Sequence, residues 1–143
     1  MDISREKLEF AEKFGFEAYD KDRDGLCDCA LEGTGAGAAL SQLVTCVKPH
    51  GRVVLMGNPG GDMTVKQKDY SQILRRELNI RGTWNSSFNR RVNDWKDTVA
   101  AMAEGKIRYE ELITHRFALS DCVKAFEMMR DKKEFYTKVT FVM

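Results

Sequence analysis

The stretch Leu26-Cys27-Asp28-Cys29-Ala30-Leu31-Glu32-Gly33-Thr34-Gly35-Ala36-Gly37-Ala38 decides the fold. Residues 26–32 read as a short strand, the glycines at 33, 35 and 37 break the chain, and residues 37–47 read as a helix. Gly51 then opens a second strand, Arg52-Val53-Val54-Leu55-Met56, which ends at Gly57. That strand is apolar on both faces, as in a covered parallel sheet. Upstream, residues 4–14 read as a helix: Leu8, Phe10, Ala11 and Phe14 recur at helical spacing, Ser4 can cap, and Gly15 stops it. Downstream comes a helix at 67–76 around Tyr70, Ile73 and Leu74, then a strand at 78–84 and a polar loop at 85–93. A helix at 93–104 carries Trp95, Val99 and Met102, and Gly105 ends it. A short strand around 115–117 precedes a helix at 121–131, capped by Ser120 or Asp121, with Val123, Ala125, Phe126 and Met129 inward. A strand at 138–142 closes the chain. The alternation predicts an α/β fold with a mainly parallel sheet. Ligands in such sheets sit beyond the carboxyl ends of the strands, here residues 33–35, 57–61 and 83–88.

The chain has 143 residues and a formal net charge of +1. The length fits one domain, and the near-neutral charge argues against a dedicated nucleic-acid binder. No apolar run approaches the roughly 20 residues that span a bilayer. The opening Met1-Asp2-Ile3-Ser4-Arg5-Glu6-Lys7 has no apolar core and does not read as a signal peptide. The four cysteines are expected to be free thiols of a reducing, cytoplasmic protein. Cys27 and Cys29 share a strand face, but Cys46 and Cys122 have no ligand spacing to them. Buried thiols, and no metal site, are the reading.

Gly33 to Ala38 matches G-x-G-x-x-A between a strand and a helix, the setting of a dinucleotide-binding loop. That reading asks for an acid at the end of the next strand, about 20 residues on. The next strand ends at Gly57-Asn58, and Asp62 lies beyond Pro59-Gly60-Gly61. Glu32, directly before the glycines, would repel a pyrophosphate unless it points away. A second reading starts from Asp2, an acid immediately before a helix. It looks like the tip of the second strand of a nucleotide fold, with the first strand and its glycine loop upstream.

The chain resembles the C-terminal part of zinc-dependent medium-chain dehydrogenases of the sorbitol and alcohol dehydrogenase type, with galactitol-1-phosphate 5-dehydrogenase-like enzymes the nearest in look. The residues carrying the likeness are 1–11, Leu31-Glu32-Gly33-Thr34-Gly35, 51–57, the specific run Ile73 to Phe88, Leu112 to Arg116, and Lys138-Val139. The resemblance implies a Rossmann-type, doubly wound, mainly parallel sheet that lacks its first strand. It implies that Asp2 holds the adenosine ribose of NAD and that Arg5 lies beside the adenine. Gly33, Thr34 and Gly35 would lie against the cofactor, with Gly57 and Asn58 near the nicotinamide. Trp84, Asn85 and Ser86 would stand near nicotinamide and substrate, and the neutral polar groups at 85–87 suit a polyol or its phosphate. A homo-oligomer through the 78–84 strand edge is also implied. The zinc-binding catalytic domain, including its Gly-His-Glu segment, has no counterpart in this sequence. Only Tyr19 to Gly25 separate the early helix from the strand at 26–32, where the family places a longer segment.

The expectation is the cofactor-binding portion of an NAD-dependent, zinc-dependent polyol dehydrogenase, inactive alone. The alternative is a stand-alone nucleotide-binding or self-association module from a truncated gene. With the first strand missing, residues 1–20 should be loosely packed or the chain should self-associate. His50 reads as a solvated turn residue. His115 reads as structural, with no acid paired to it, and Arg116 as a surface ion-pair partner. Arg75-Arg76 and Lys132-Lys133 read as solvated helix faces. Arg90-Arg91 could meet a substrate phosphate. Trp84, Trp95 and the methionines read as packing residues.

Overall fold

The computed structural model describes residues 1–19 and 24–143. Residues 20–23, within the short Tyr19 to Gly25 connection, lie outside the described residues. The chain divides into two compact units, Met1–Asn85 and Ser86–Met143.

In the first unit the order is α1 (Arg5–Glu12), β1 (Cys27–Glu32), α2 (Gly37–Cys46), β2 (Val47–Leu55), α3 (Gln67–Arg75) and β3 (Asn79–Gly82). The three strands form one sheet in the order β1-β2-β3. Both pairings are parallel, with Ala30 opposite Val53 and Val53 opposite Ile80. Among the described residues β1 pairs with β2 alone, so its other edge is open. The core is small: Leu43, Val44 and Cys46 from α2, and Val47 and Val53 from β2. Leu43 and Cys46, three residues apart, share one face of α2.

β2 begins earlier than Gly51. Its pairing with β1 passes from Cys27–Val47 to Cys29–Arg52, so Asp28 stands opposite the whole of residues 48–51. The excess chain is a bulge, which is where a strand tolerates Pro49 and a His50 at φ 61°. Gly51 is required there: a Cβ would lie 2.3 Å from Val47 Cγ1 and 2.9 Å from the Lys48 carbonyl oxygen. The turn read at Pro49-His50-Gly51 is therefore real but lies inside the strand. His50 is exposed, 3.4 Å from Glu77.

α1 has the expected cap, with Ser4 Oγ accepting from the Lys7 amide at 3.4 Å. Leu8, Phe10, Ala11 and Phe14 are its less exposed residues, yet no residue of α1 is buried. α3 departs from expectation. Tyr70 and Leu74 are exposed, while Asp69 is buried and Ile73 and Arg76 are half-buried. The inward face thus runs through 69, 73 and 76 rather than through the large apolar residues. Arg76 is not a solvated helix-face residue. Its Nη1 donates to the Thr45 and Val47 carbonyl oxygens, each at 2.7 Å. Its own carbonyl accepts from the His50 amide at 2.7 Å. The end of α2 leaves carbonyls without intrahelical partners, and a cation there is doubly favoured.

The second unit holds α4 (Asp94–Ala103), β4 (Ile113–Ala118), α5 (Cys122–Asp131) and β5 (Lys138–Val142). Short 3-10 turns at Glu110–Leu112 and Leu119–Asp121 precede β4 and α5. β4 and β5 pair in parallel, with α5 as the crossover. The loop at 85–93 is structured. Asn89 Oδ1 accepts from the amides of Arg91 and Val92, and Asn93 Oδ1 caps α4 through the Lys96 amide. Neither Ser120 nor Asp121 caps α5 with its side chain; the 3-10 turn leads the chain in instead. Ala125 is the buried residue of α5, and Cys122, Met128 and Met129 are half-buried. Val123 and Phe126 are exposed, as are Trp95 and Val99 of α4. Phe126 still meets Phe141 at 6.1 Å between ring centroids. Lys132 ends α5 in the left-handed conformation, φ 48°.

The four cysteines are free, but only Cys46 is buried; Cys29 is exposed because the sheet face it points from is uncovered. No helix among the described residues is long and apolar enough to cross a membrane.

Hydrogen bonds from a charged donor contribute about 1.5–3 kcal/mol each. Arg76→Met is therefore expected to lower stability by about 2 kcal/mol or more, read as a shift of the urea midpoint at unchanged slope. Arg75→Met, at the neighbouring exposed position, should stay within about 0.5 kcal/mol.

Candidate functional site

The site is built at the carboxyl ends of β1 and β2. Glu32 is the last residue of β1 and is 2% exposed. Its carboxylate folds back over the glycines that follow. Oε1 accepts from the Thr34 amide at 2.7 Å, the Thr34 hydroxyl at 2.6 Å and the Gly35 amide at 3.0 Å; Oε2 accepts from Gly35 at 3.1 Å. The Ala36 amide in turn donates to Thr34 Oγ1 at 3.1 Å. Burial pushes the Glu32 carboxyl up, but the hydroxyl and the amides of Thr34, Gly35 and Ala36 outweigh it and hold the group below the usual carboxylate range.

The backbone of Glu32 is engaged as well, its carbonyl accepting from the amides of Met56 and Gly57 at 2.8 and 2.9 Å. A Cβ on Gly57 would sit 2.2 Å from the Gly35 nitrogen and 2.6 Å from both Glu32 Oε2 and the Thr34 nitrogen. Gly35, at φ 71°, faces the opposite strand end, where a Cβ would lie 2.4 Å from the Asn58 carbonyl oxygen. The two turns therefore touch backbone to backbone. The Thr83 amide donates to the Leu55 carbonyl at 2.9 Å, which brings the end of β3 to the same rim. Trp84 and Asn85 follow, both exposed, with Asn85 at φ 48°, a conformation asparagine tolerates.

A cavity of about 410 Å³ opens beside the first turn, lined by Asp2, Tyr19, Thr34, Ala36, Ala39 and Gln42 among others. Its size is in the range of small-ligand pockets. Asp2 Oδ1 accepts from the Ser4 amide at 2.9 Å. The Tyr19 hydroxyl donates to Asp24, and this bond, with Cys46 nearby, raises the phenol well above its ordinary value. Tyr19 thus presents a neutral wall.

Of the residues singled out in the sequence, the structure gathers Gly33, Thr34, Gly35, Gly57 and Asn58 into one pair of touching turns, and it sets Asp2 and Thr34 on one cavity. Arg5 points elsewhere: it is exposed and pairs with Glu9 at 2.7 Å. Ser86 belongs to the second unit and is exposed. The reading of Gly33–Ala38 as a phosphate loop does not survive. The amides of Thr34 and Gly35 that would cradle an anion are already bonded to Glu32, and a buried carboxylate stands behind them. The cavity instead sets the Asp2 carboxylate and the Thr34 hydroxyl beside the small side chains of Ala36, Ala38 and Ala39. His115 has an acid partner after all, Glu134 at 3.8 Å, alongside Thr34-like company in Thr114 Oγ1 at 2.9 Å from Nδ1. Among the described residues no three His, Cys, Asp or Glu side chains converge as metal ligands. Tyr19, Ala39 and Gln42 carry no motif, and Ala36 is an unspecified position of the glycine motif. Glu32 had a signal: an acid immediately before a glycine turn lies within reach of the amides two and three residues on.

Parallel strands whose carboxyl-end turns meet glycine against glycine have the Rossmann-type arrangement. The chain belongs to the zinc-binding dehydrogenase family, whose model matches residues 1–104. It is 29% identical over 142 residues to the L-threonine 3-dehydrogenase of Photorhabdus laumondii, covering 90% of this chain and 40% of that protein. The galactitol-1-phosphate dehydrogenase of Escherichia coli shares the fold with a TM-score of 0.80 at 24% identity, over 96% of this chain and 43% of the other. A short chain alcohol dehydrogenase of Escherichia coli CFT073, solved with NADH, superposes with a TM-score of 0.72 at 25% identity, over 96% of this chain and 42% of the other. The chain thus spans about two fifths of the length of the relatives it matches.

Because the folded-state value of Glu32 is depressed, its contribution is present above the unfolded carboxylate value of about 4.3 and is lost as pH falls through the folded value. Glu32→Gln should cost about 1–3 kcal/mol at pH 7, and the gap to wild type should close on acidification below pH 4, measured by denaturant unfolding across pH. Gly57→Ala should be more damaging than an ordinary glycine substitution, by about 2 kcal/mol or more, since its methyl meets backbone that cannot yield. Amide chemical shifts of 33–35 should move with it.

Proposed function

We propose that this chain supplies the cofactor-side wall of an NAD-dependent, zinc-dependent oxidoreductase that oxidises a secondary alcohol of a polyol or polyol phosphate of the galactitol-1-phosphate kind. The observation that carries the reading is the cavity shared by Asp2 and Thr34 beside the locked turns, in a chain of this family. In such an enzyme NAD would accept the hydride, and zinc, held by residues other than these 143, would polarise the alcohol oxygen.

Asp2 accepts hydrogen bonds from the adenosine ribose and disfavours an added 2′-phosphate by charge. Thr34 and Ala36 wall the adenosine half, with Gly33 and Gly35 giving the close backbone approach. Gly57 and Asn58 bound the path toward the nicotinamide. Trp84 and Asn85 stand at its far side, and Asn85 with Ser86 offers neutral polar groups to substrate hydroxyls. The edge of β3, exposed at Asn79, Arg81 and Gly82, pairs with a second copy.

The test is a titration of the chain with NADH and NADPH, followed by tryptophan fluorescence. Saturable NADH binding is expected, weakened about tenfold by Asp2→Ala, with the preference over NADPH narrowed. Galactitol 1-phosphate, sorbitol and L-threonine should give no NAD reduction with this chain alone. Turnover by the chain, or NADH binding indifferent to Asp2→Ala, overturns the reading.

A further inference from the structure

We infer that Glu32 is a positioning residue of the cofactor site, whose buried carboxylate fixes the 33–35 turn against Gly57 and so sets the wall that Thr34 and Ala36 present to the cavity. The inference rests on the function proposed above and adds to it a residue that does not itself reach the ligand.

At 2% exposure Glu32 does not line the 410 Å³ cavity, and it borders only a smaller one of about 100 Å³ beside it, with Thr34, Ala39 and Gln42 common to both. Its effect passes through bonds. Thr34 is held by amide and hydroxyl at once, Gly35 by its amide, and Ala36 by its amide to the Thr34 hydroxyl that Glu32 has oriented. Two of these three, Thr34 and Ala36, line the cavity. The same carboxylate lies against Gly57, since a Cβ there would be 2.6 Å from Oε2. One side chain therefore couples both turns of the rim.

A buried charge costs several kcal/mol of desolvation, so an apolar side chain would fill this place more cheaply if filling were all that was needed. What the place requires is an acceptor. The Gly-Thr-Gly turn points consecutive amides inward, and each would otherwise be buried without a partner. The consequence for recognition is direct. With the amides of Thr34, Gly35 and Ala36 engaged, the turn offers the cavity a hydroxyl-bearing and a methyl side chain in place of those three N–H groups.

The test compares NADH dissociation constants of wild type, Glu32→Gln, Glu32→Asp and Val53→Ala, each at a temperature where circular dichroism shows it folded. Val53 is buried in β2 away from the rim turns, so its truncation reports general destabilisation. Glu32→Gln should raise the NADH constant about tenfold or more and abolish the exchange protection of the Thr34 and Gly35 amides. Glu32→Asp, which keeps the charge but draws it back by one methylene, should fall between, and decides the matter if the Gln variant does not fold. Val53→Ala should stay within about twofold of wild type. Glu32 variants within twofold of wild type, or a Val53→Ala loss as large as theirs, overturn the positioning role while leaving the cofactor reading standing. A wild-type chain that binds no NADH overturns the cofactor reading and this inference with it.

Discussion

An ionised carboxylate held out of water is the constraint on which the ligand end of this molecule depends. Glu32 is tolerated there because the turn behind it brings a hydroxyl and consecutive amides to its two oxygens. Everything else at the rim follows from that bond set. The turn can be tight only if Gly35 takes a positive φ, and the neighbouring strand end can approach only because Gly57 has no side chain. An acid, two glycines and a threonine thus act as one part.

The rest of the first unit is economical. Its buried apolar residues come from one helix and one strand, and large side chains such as Leu31, Tyr70, Leu74 and Trp84 remain exposed. A sheet with an open β1 edge offers these residues no second layer to pack on, and α1 buries none of its residues.

That also explains how far the sequence could be read. The order of strands and helices, the parallel pairing, the family and the gathering of 33–35 with 57–58 are all legible, because glycine breaks and apolar runs mark them locally. Burial is less so. Helical spacing picks Tyr70, Leu74, Val99, Val123 and Phe126 as inward, yet spacing reports only which residues share a face, not whether another element covers it. Arg76 was opaque for a related reason. A charged residue is ordinarily solvated, and only the placement of unpaired carbonyls or amides from elsewhere in the chain turns it inward. The bulge at residues 48–51 escaped because Pro49-His50-Gly51 reads as a turn ahead of a strand rather than as slack within one.

The sheet of the first unit is fastened at its two ends by groups of opposite sign. At the amino ends of the strands a guanidinium gathers the Thr45 and Val47 carbonyls; at the carboxyl ends an anion gathers the turn amides. Guanidinium keeps its charge at any pH a protein meets, while a carboxylate does not. Acid therefore unfastens the sheet from one side only. The carboxyl end loosens first, once the pH has fallen below the usual carboxylate range, while the opposite end stays clasped, so acid is a directional perturbation of this fold rather than a uniform one.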